Sequence, residues 1–123
     1  MTVELPYPPT TNHAYTCSRG RKVKTLRARQ YAEQVGYAML PHRGQALAFD
    51  GERLRVKIRT HAPDRRRRDL ANIEKLAVDA VFKALGLDDE QIDVLTLVRG
   101  DVDRQRPRLE FRVETLPRTT GGG

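Results

Sequence analysis

The chain has one cysteine, Cys17, and no tryptophan. A lone thiol forms no internal disulfide, so a disulfide-stapled scaffold is excluded and a reducing cytoplasm is expected. No apolar run approaches the ~18–20 residues that span a bilayer. The opening MTVELPYPPT carries no signal-peptide pattern. Membrane-spanning and secreted classes are therefore not expected. The three histidines, His13, His42 and His61, are scattered without metal-ligand spacing. Neither the Walker phosphate-loop pattern nor the glycine fingerprint of dinucleotide sites occurs, so nothing points to nucleotide hydrolysis or hydride transfer.

What the chain has is positive charge. Its 123 residues carry 23 Lys+Arg against 16 Asp+Glu, for a net charge of +7. Eighteen of the cations are arginine, whose planar fork suits phosphate and stays charged in any site. The charge is divided. Residues 1–68 hold a net +10 and residues 69–123 a net −3. A solvated ionic surface would give an even mixture. A basic half beside an acidic cluster is what a metal-dependent nuclease of nucleic acid needs.

A chain of this length buries one core, and the spacing predicts a single domain over residues 1–116. Residues 2–5 read as a short strand, stopped by Pro6, Pro8 and Pro9. Residues 10–24 turn at Ser18-Arg19-Gly20-Arg21, predicting a hairpin or loop that carries Arg19, Arg21, Lys22 and Lys24. Residues 26–40 have helical spacing, with Tyr31 and Tyr37 expected in the core. Pro41 and Gly44 end that helix, and 42–51 reads as loop. Residues 53–60 alternate strictly, with Leu54, Val56 and Ile58 inward and basic side chains outward. A second helix is predicted from Leu70 to Leu85, capped by Asp69 and stopped by Gly86. Strands at 92–99 and 108–115 follow, expected to pair as an antiparallel hairpin, and 117–123 is expected to be a disordered tail. The fold class is α+β: a small mixed sheet of four to five strands with two helices packed on one face.

The chemistry concentrates in Asp64-Arg65-Arg66-Arg67-Arg68-Asp69-Leu70-Ala71-Asn72-Ile73-Glu74-Lys75. Four successive arginines repel one another, and a phosphate backbone offsets that repulsion; a solvated basic loop is the plain alternative. This stretch resembles the central motif of the RusA family of Holliday junction resolvases. Leu5-Pro6-Tyr7-Pro8-Pro9-Thr10-Thr11-Asn12 resembles the family's N-terminal signature, and Leu87-Asp88-Asp89-Glu90-Gln91 its second acidic motif. The resemblance covers most of the chain. It implies a homodimer that binds four-way DNA junctions and nicks two strands symmetrically with Mg²⁺. It places Asp69, Lys75 and Asp89 at catalytic positions, with Asp69 and Asp89 as metal ligands. Arg19, Arg21, Lys22, Lys24, Arg65, Arg66, Arg67, Arg68 and Asn72 are the expected DNA contacts. Carboxylates suit Mg²⁺ as hard oxygen ligands, and a nearby lysine suits charge developing on a phosphate.

One position departs. The family pattern is Asp-Leu-Asp-Asn, and this chain reads Asp69-Leu70-Ala71-Asn72. Ala71 cannot ligate a cation, so this chain is expected to bind junctions without cleaving them. Two origins stay open: a substitution made to trap an inactive enzyme, which the otherwise intact pattern favours, or natural loss of a ligand. A naturally non-catalytic DNA-binding protein of the same fold is therefore the competing reading, and a generic basic RNA-binding domain a third. A helix from Asp69 to Leu85 is about 24 Å long, so Asp69 and Asp89 are expected at opposite ends. Two copies packed about a two-fold axis would bring Asp69 of one copy to Asp89 of the other. Asp88 and Glu90 read as a solvated acidic turn, with outer metal ligands as the alternative, and Glu74 and Asp79 as exposed helix positions or surface pairs, with added negative charge near the site as the alternative. Asn72 serves either the site or the helix start. Tyr15 is the tyrosine to test as a base-stacking wedge.

Overall fold

The computed structural model describes residues 1–9, 15–18, 21–24 and 26–117; within 15–18 and 21–24 only the backbone is considered. The expectations for Arg19 and for 118–123 lie outside the described residues, as do those for the side chains of Arg21, Lys22, Lys24 and Tyr15. The elements are β1 (Thr2–Pro6), β2 (Tyr15–Ser18), β3 (Arg21–Lys24), α1 (Leu26–Met39), α2 (Ala46–Phe49), β4 (Leu54–His61), α3 (Leu70–Leu85), β5 (Ile92–Arg99) and β6 (Arg108–Thr115). Two 3₁₀ turns, Leu40–Gln45 and Asp89–Gln91, lie between them.

The four-stranded sheet has the order β1-β6-β4-β5, and β2 and β3 form a separate antiparallel hairpin. β4 is central because its alternation is strict: Leu54, Val56 and Ile58 are fully buried while Arg55, Lys57 and Arg59 face out. It pairs antiparallel with β6 and parallel with β5. The sheet is mixed, as its sequence suggests, but the expected hairpin of β5 and β6 does not form. The segment after β5 crosses the end of β4 instead. Gly100 N–H donates to the Thr60 carbonyl (2.7 Å) and Asp103 N–H to that of Ala62 (2.9 Å). A Cβ on Gly100 would stand 2.7 Å from the Thr60 oxygen, so only glycine lets the chain pass this close. The crossing segment is fastened further by Arg108 to Asp103 (2.9 Å) and by Arg106 to both carboxylate oxygens of Glu4 on β1 (3.2 and 3.3 Å).

Both long helices contribute to the one hydrophobic core. α1 contributes Ala28, Tyr31, Val35 and Met39, and α3 contributes Ile73, Leu76, Ala77, Ala80, Val81 and Leu85. They meet Leu5, Val56, Ile58, Leu109, Phe111 and Val113 from the sheet. Each fully buried aliphatic or Phe side chain is worth about 1.5–3 kcal/mol of transfer energy. Tyr31 anchors its helix with a hydrogen bond from its hydroxyl to the Pro6 carbonyl (2.9 Å). Tyr37 corrects the expectation: it is 75% exposed. Two residues beyond Val35, it lies about 200° around the helix from that core position. The segment 42–51 is also not plain loop. Pro41 opens a 3₁₀ turn, where its missing N–H costs nothing, and α2 then buries Phe49. No helix among the described residues is long and apolar enough to cross a membrane.

Candidate nucleic-acid interface and carboxylate site

The segment from Pro63 to Asp69 joins the central strand to α3. Asp64 organises it. Its Oδ1 accepts from the Arg66 backbone N–H (2.9 Å) and from Arg68 Nη1 (2.7 Å). Arg68 donates further to the carbonyls of Asp64 (3.3 Å) and Arg66 (3.4 Å). Its guanidinium lies 5.6 Å from the centre of the Tyr7 ring, within cation–π range. The Arg68 carbonyl in turn accepts from Arg99 Nη2 at the end of β5 (2.6 Å).

The four arginines therefore divide. Arg68 is a brace, with its side chain 15% exposed. Arg65, Arg66 and Arg67 are exposed, and the Arg66 side chain keeps 85% of its surface in water. The acidic residue that precedes the run turns one arginine inward and lets the other three face out. On the open face of the sheet, the basic row of β4 is partly answered by acid: Arg59 stands 3.7 Å from Glu110 of β6. Within the loop Arg66 in turn stands 4.0 Å from Asp64, so both the loop and the β4 row present exposed cations, Arg65 and Arg67 on one and Arg55 and Lys57 on the other.

The brace has a pH signature. The Arg68 hydrogen bond, helped by the Arg66 N–H, pulls the Asp64 carboxyl down to about 2 from 3.8, against a smaller opposing effect of desolvation. A value lower folded than unfolded means the contribution is complete above about 3.8 and disappears as pH falls through about 2. A carbon-detected NMR titration of Asp64 should therefore show a midpoint near 2, and Arg68→Ala should return it toward the ordinary carboxylate range. A midpoint unmoved by Arg68→Ala would show that the brace does not hold the loop.

Asp69 is the N-cap of α3, in extended conformation, and its Oδ1 accepts from the Ala71 N–H (2.9 Å). One carboxylate oxygen is thus engaged in starting the helix. Ala71 is exposed on the first turn, which holds no acidic residue. Asn72 makes no side-chain hydrogen bond with another described residue, so a role at the helix start finds no support. Lys75 is exposed one turn on from Ala71. Gly86, at φ +69°, ends the helix as its pattern predicts.

After Gly86 the three acids separate. Asp88 is used structurally: its side chain accepts from the Glu90 N–H (2.9 Å), and the Gln91 side chain accepts from the Asp88 N–H (3.1 Å), forming a capping box. Glu90 is exposed and 3.5 Å from Arg53. The Asp89 side chain makes no hydrogen bond with another described residue, while its carbonyl accepts from the Ile92 N–H. It borders an open cleft with Asp79, Phe82 and Lys83 of α3, so the chain folds back along the helix after Gly86. It reaches far enough to act on Glu74. Burial, then the Asp89 charge, push the Glu74 carboxyl above its usual range, with Lys75 acting in the opposite direction.

Sequence reasoning treated Glu74 as a surface acid; its electrostatic coupling to Asp89 emerges only from the fold. It also missed Tyr7 as the partner of Arg68, and Gln91, whose buried amide donates to the Phe49 and Glu52 carbonyls (2.8 and 2.9 Å). Asp88-x-x-Gln91 carried a readable signal for the capping box.

The described residues of one chain form no all-protein cage for a divalent ion. Mg²⁺ asks for near-octahedral oxygen ligands. Among the described residues no three His, Cys, Asp or Glu side chains converge. Asp69 has one oxygen committed, position 71 offers none, and Asp89 joins no group of three such donors among the described residues.

A family profile described as endodeoxyribonuclease RusA matches residues 6–114. The chain is 35% identical over 124 residues to the crossover junction endodeoxyribonuclease RusA of Escherichia coli strain K12, covering 98% of this chain and 87% of that protein. It is 35% identical over 123 residues to the protein of the same name from Enterobacteria phage 82, covering 98% and 86%. A Shigella sonnei relative of that name is 35% identical over 124 residues, covering 98% and 87%.

Proposed function

Since the chain belongs to the RusA endodeoxyribonuclease family, we propose that it recognises four-way DNA junctions as a homodimer, and that with Ala71 in place it binds them without cutting. The observation that carries this reading is the outward trio Arg65, Arg66 and Arg67, held by the Asp64–Arg68 brace directly ahead of a helix start that lacks its second carboxylate. Relatives named for crossover junctions support four-way DNA as the substrate. Their bacterial and phage origin supports work in the cytoplasm of a bacterial or phage-infected cell, in recombination and repair.

The family's Mg²⁺-dependent nicking needs a donor set that one chain with Ala71 does not supply. Asp69, Lys75 and Asp89 keep their proposed roles in a complete site. We place that site between two copies, Asp69 of one facing Asp89 of the other. The absence of any three-donor group within the described part of one chain supports the arrangement. A naturally non-catalytic junction binder is the second reading, favoured by Ala71 alone.

The test is a retardation assay comparing a four-way junction, a linear duplex of the same sequences and an RNA duplex. Preference for the junction should be on the order of 10³-fold, the low end of specific over non-specific DNA binding. Equal affinity for junction and linear duplex would remove the proposal. Tighter binding to RNA would establish the basic RNA-binding alternative.

A further inference from the structure

A cleft at the end of β1 lies outside the site carboxylates and the arginine run. It has a volume of about 330 Å³ and is lined by Tyr7, Pro8 and Pro9 from the end of β1 and by Arg27, Gln30, Tyr31 and Gln34 from α1. The four helix residues follow i, i+3, i+4, i+7 spacing and so occupy one face. Tyr31 is buried with its hydroxyl committed to Pro6, so its ring serves as wall rather than as a polar contact. Gln30 and Gln34 are exposed amides at the rim.

We propose that this cleft receives a single nucleobase unstacked from the centre of the bound junction, held among Tyr7 and the two prolines and read by the amides of Gln30 and Gln34. The proposal rests on the junction-binding reading and adds a subsite to it. Three observations carry it. First, Tyr7 belongs to both features, since it lines the cleft and lies under the Arg68 guanidinium. The cleft therefore adjoins the loop that meets phosphate. Second, its size is at the small end of clefts that hold compact organic ligands. Third, its chemistry matches a base. Aromatic and proline surfaces present flat apolar contact, and stacking of a base on an aromatic ring tolerates any sequence. Each glutamine amide offers donors and an acceptor on one plane, as the edge of a base requires. Among the described residues of the lining, Arg27 is the sole charged group and there is no carboxylate to repel the strand.

The test is photo-cross-linking with 5-iodouracil placed either at the crossover or within one arm of a four-way junction, followed by peptide mapping. The crossover probe should give an adduct on Tyr7, and the arm probe none. The double variant Gln30→Ala/Gln34→Ala changes two exposed positions to a good helix former. It should lower the adduct about tenfold, the scale of one well-made amide contact to a base edge, and weaken junction retardation alongside it. Retardation of the junction without an adduct on Tyr7 overturns the base subsite and leaves junction binding standing. An adduct equal from both probes, or unaffected by the double variant, does the same. Failure to retard any junction removes both readings together.

Discussion

Ala71→Asp is expected to nick four-way junctions when Mg²⁺ is added, on the order of 100-fold or more faster than the parent chain. Loss of a group that merely orients a ligand costs about 10–100-fold in metal affinity or activity, and a missing ligand costs at least as much. The local structure accepts the change. Ala71 is exposed, and the group that serves the helix cap is its backbone N–H, which any residue supplies. The first turn of α3 holds no acidic side chain. A carboxylate there is favoured by the helix dipole by about 0.3–1 kcal/mol. Melting temperature should therefore hold or rise slightly, separating a change in chemistry from a change in folding. The readout is cleavage of a labelled four-way junction with and without Mg²⁺, run beside the parent chain. If the Ala71→Asp protein binds the junction and leaves it intact, the assignment of the site around Asp69 fails.

Removing Arg65, Arg66 and Arg67 together, as alanines, should weaken junction binding on the order of 100-fold or more near 0.1 M salt. It should also make the plot of log affinity against log salt shallower by about 2.7, close to 0.9 for each phosphate no longer neutralised. Arg68 is left in place because it holds the loop through Asp64 and Tyr7 rather than facing out. The triple variant therefore removes charge without removing the brace, and the folded structure should persist. The slope is the deciding quantity. A loss of affinity with an unchanged slope would mean that these side chains do not meet phosphate.

Much of this was legible in the sequence, and the remainder was not for identifiable reasons. The alternation of 53–60 gave the central strand and its two faces, because a half-buried strand repeats every two residues. Asp69 and Gly86 marked the ends of α3 because both act on backbone within a few residues of themselves. Strand order was out of reach. β4 separates β5 from β6, and the pairing depends on where the crossing segment packs against Thr60 and Ala62. The pattern of β5 gives no help, since Val94 and Leu95 are both exposed. Pro41 read as a stop, yet a 3₁₀ turn accepts proline at its start. At the site, the run of arginines was plain, but the inward turn of Arg68 joins the nearby Asp64 to Tyr7, a contact from a distant part of the chain that the sequence does not display. The acidic triplet was plain as well, but its division into a cap, a partner for Arg53 and a carboxylate left over required the folded turn.

The Arg68 brace has a thermodynamic counterpart. It ties three remote segments together: the end of β1 through Tyr7, the arginine loop, and the end of β5 through Arg99. β1 and β5 are the two rims of the sheet. Opening either rim would remove one of the contacts that hold the loop, and with it, on the proposed reading, some affinity for DNA. Coupling of this kind is reciprocal. If DNA sits on the loop as proposed, hydrogen exchange of β1 and β5 should slow when a junction is added, since the strands with one sheet neighbour would then be the ones the ligand guards.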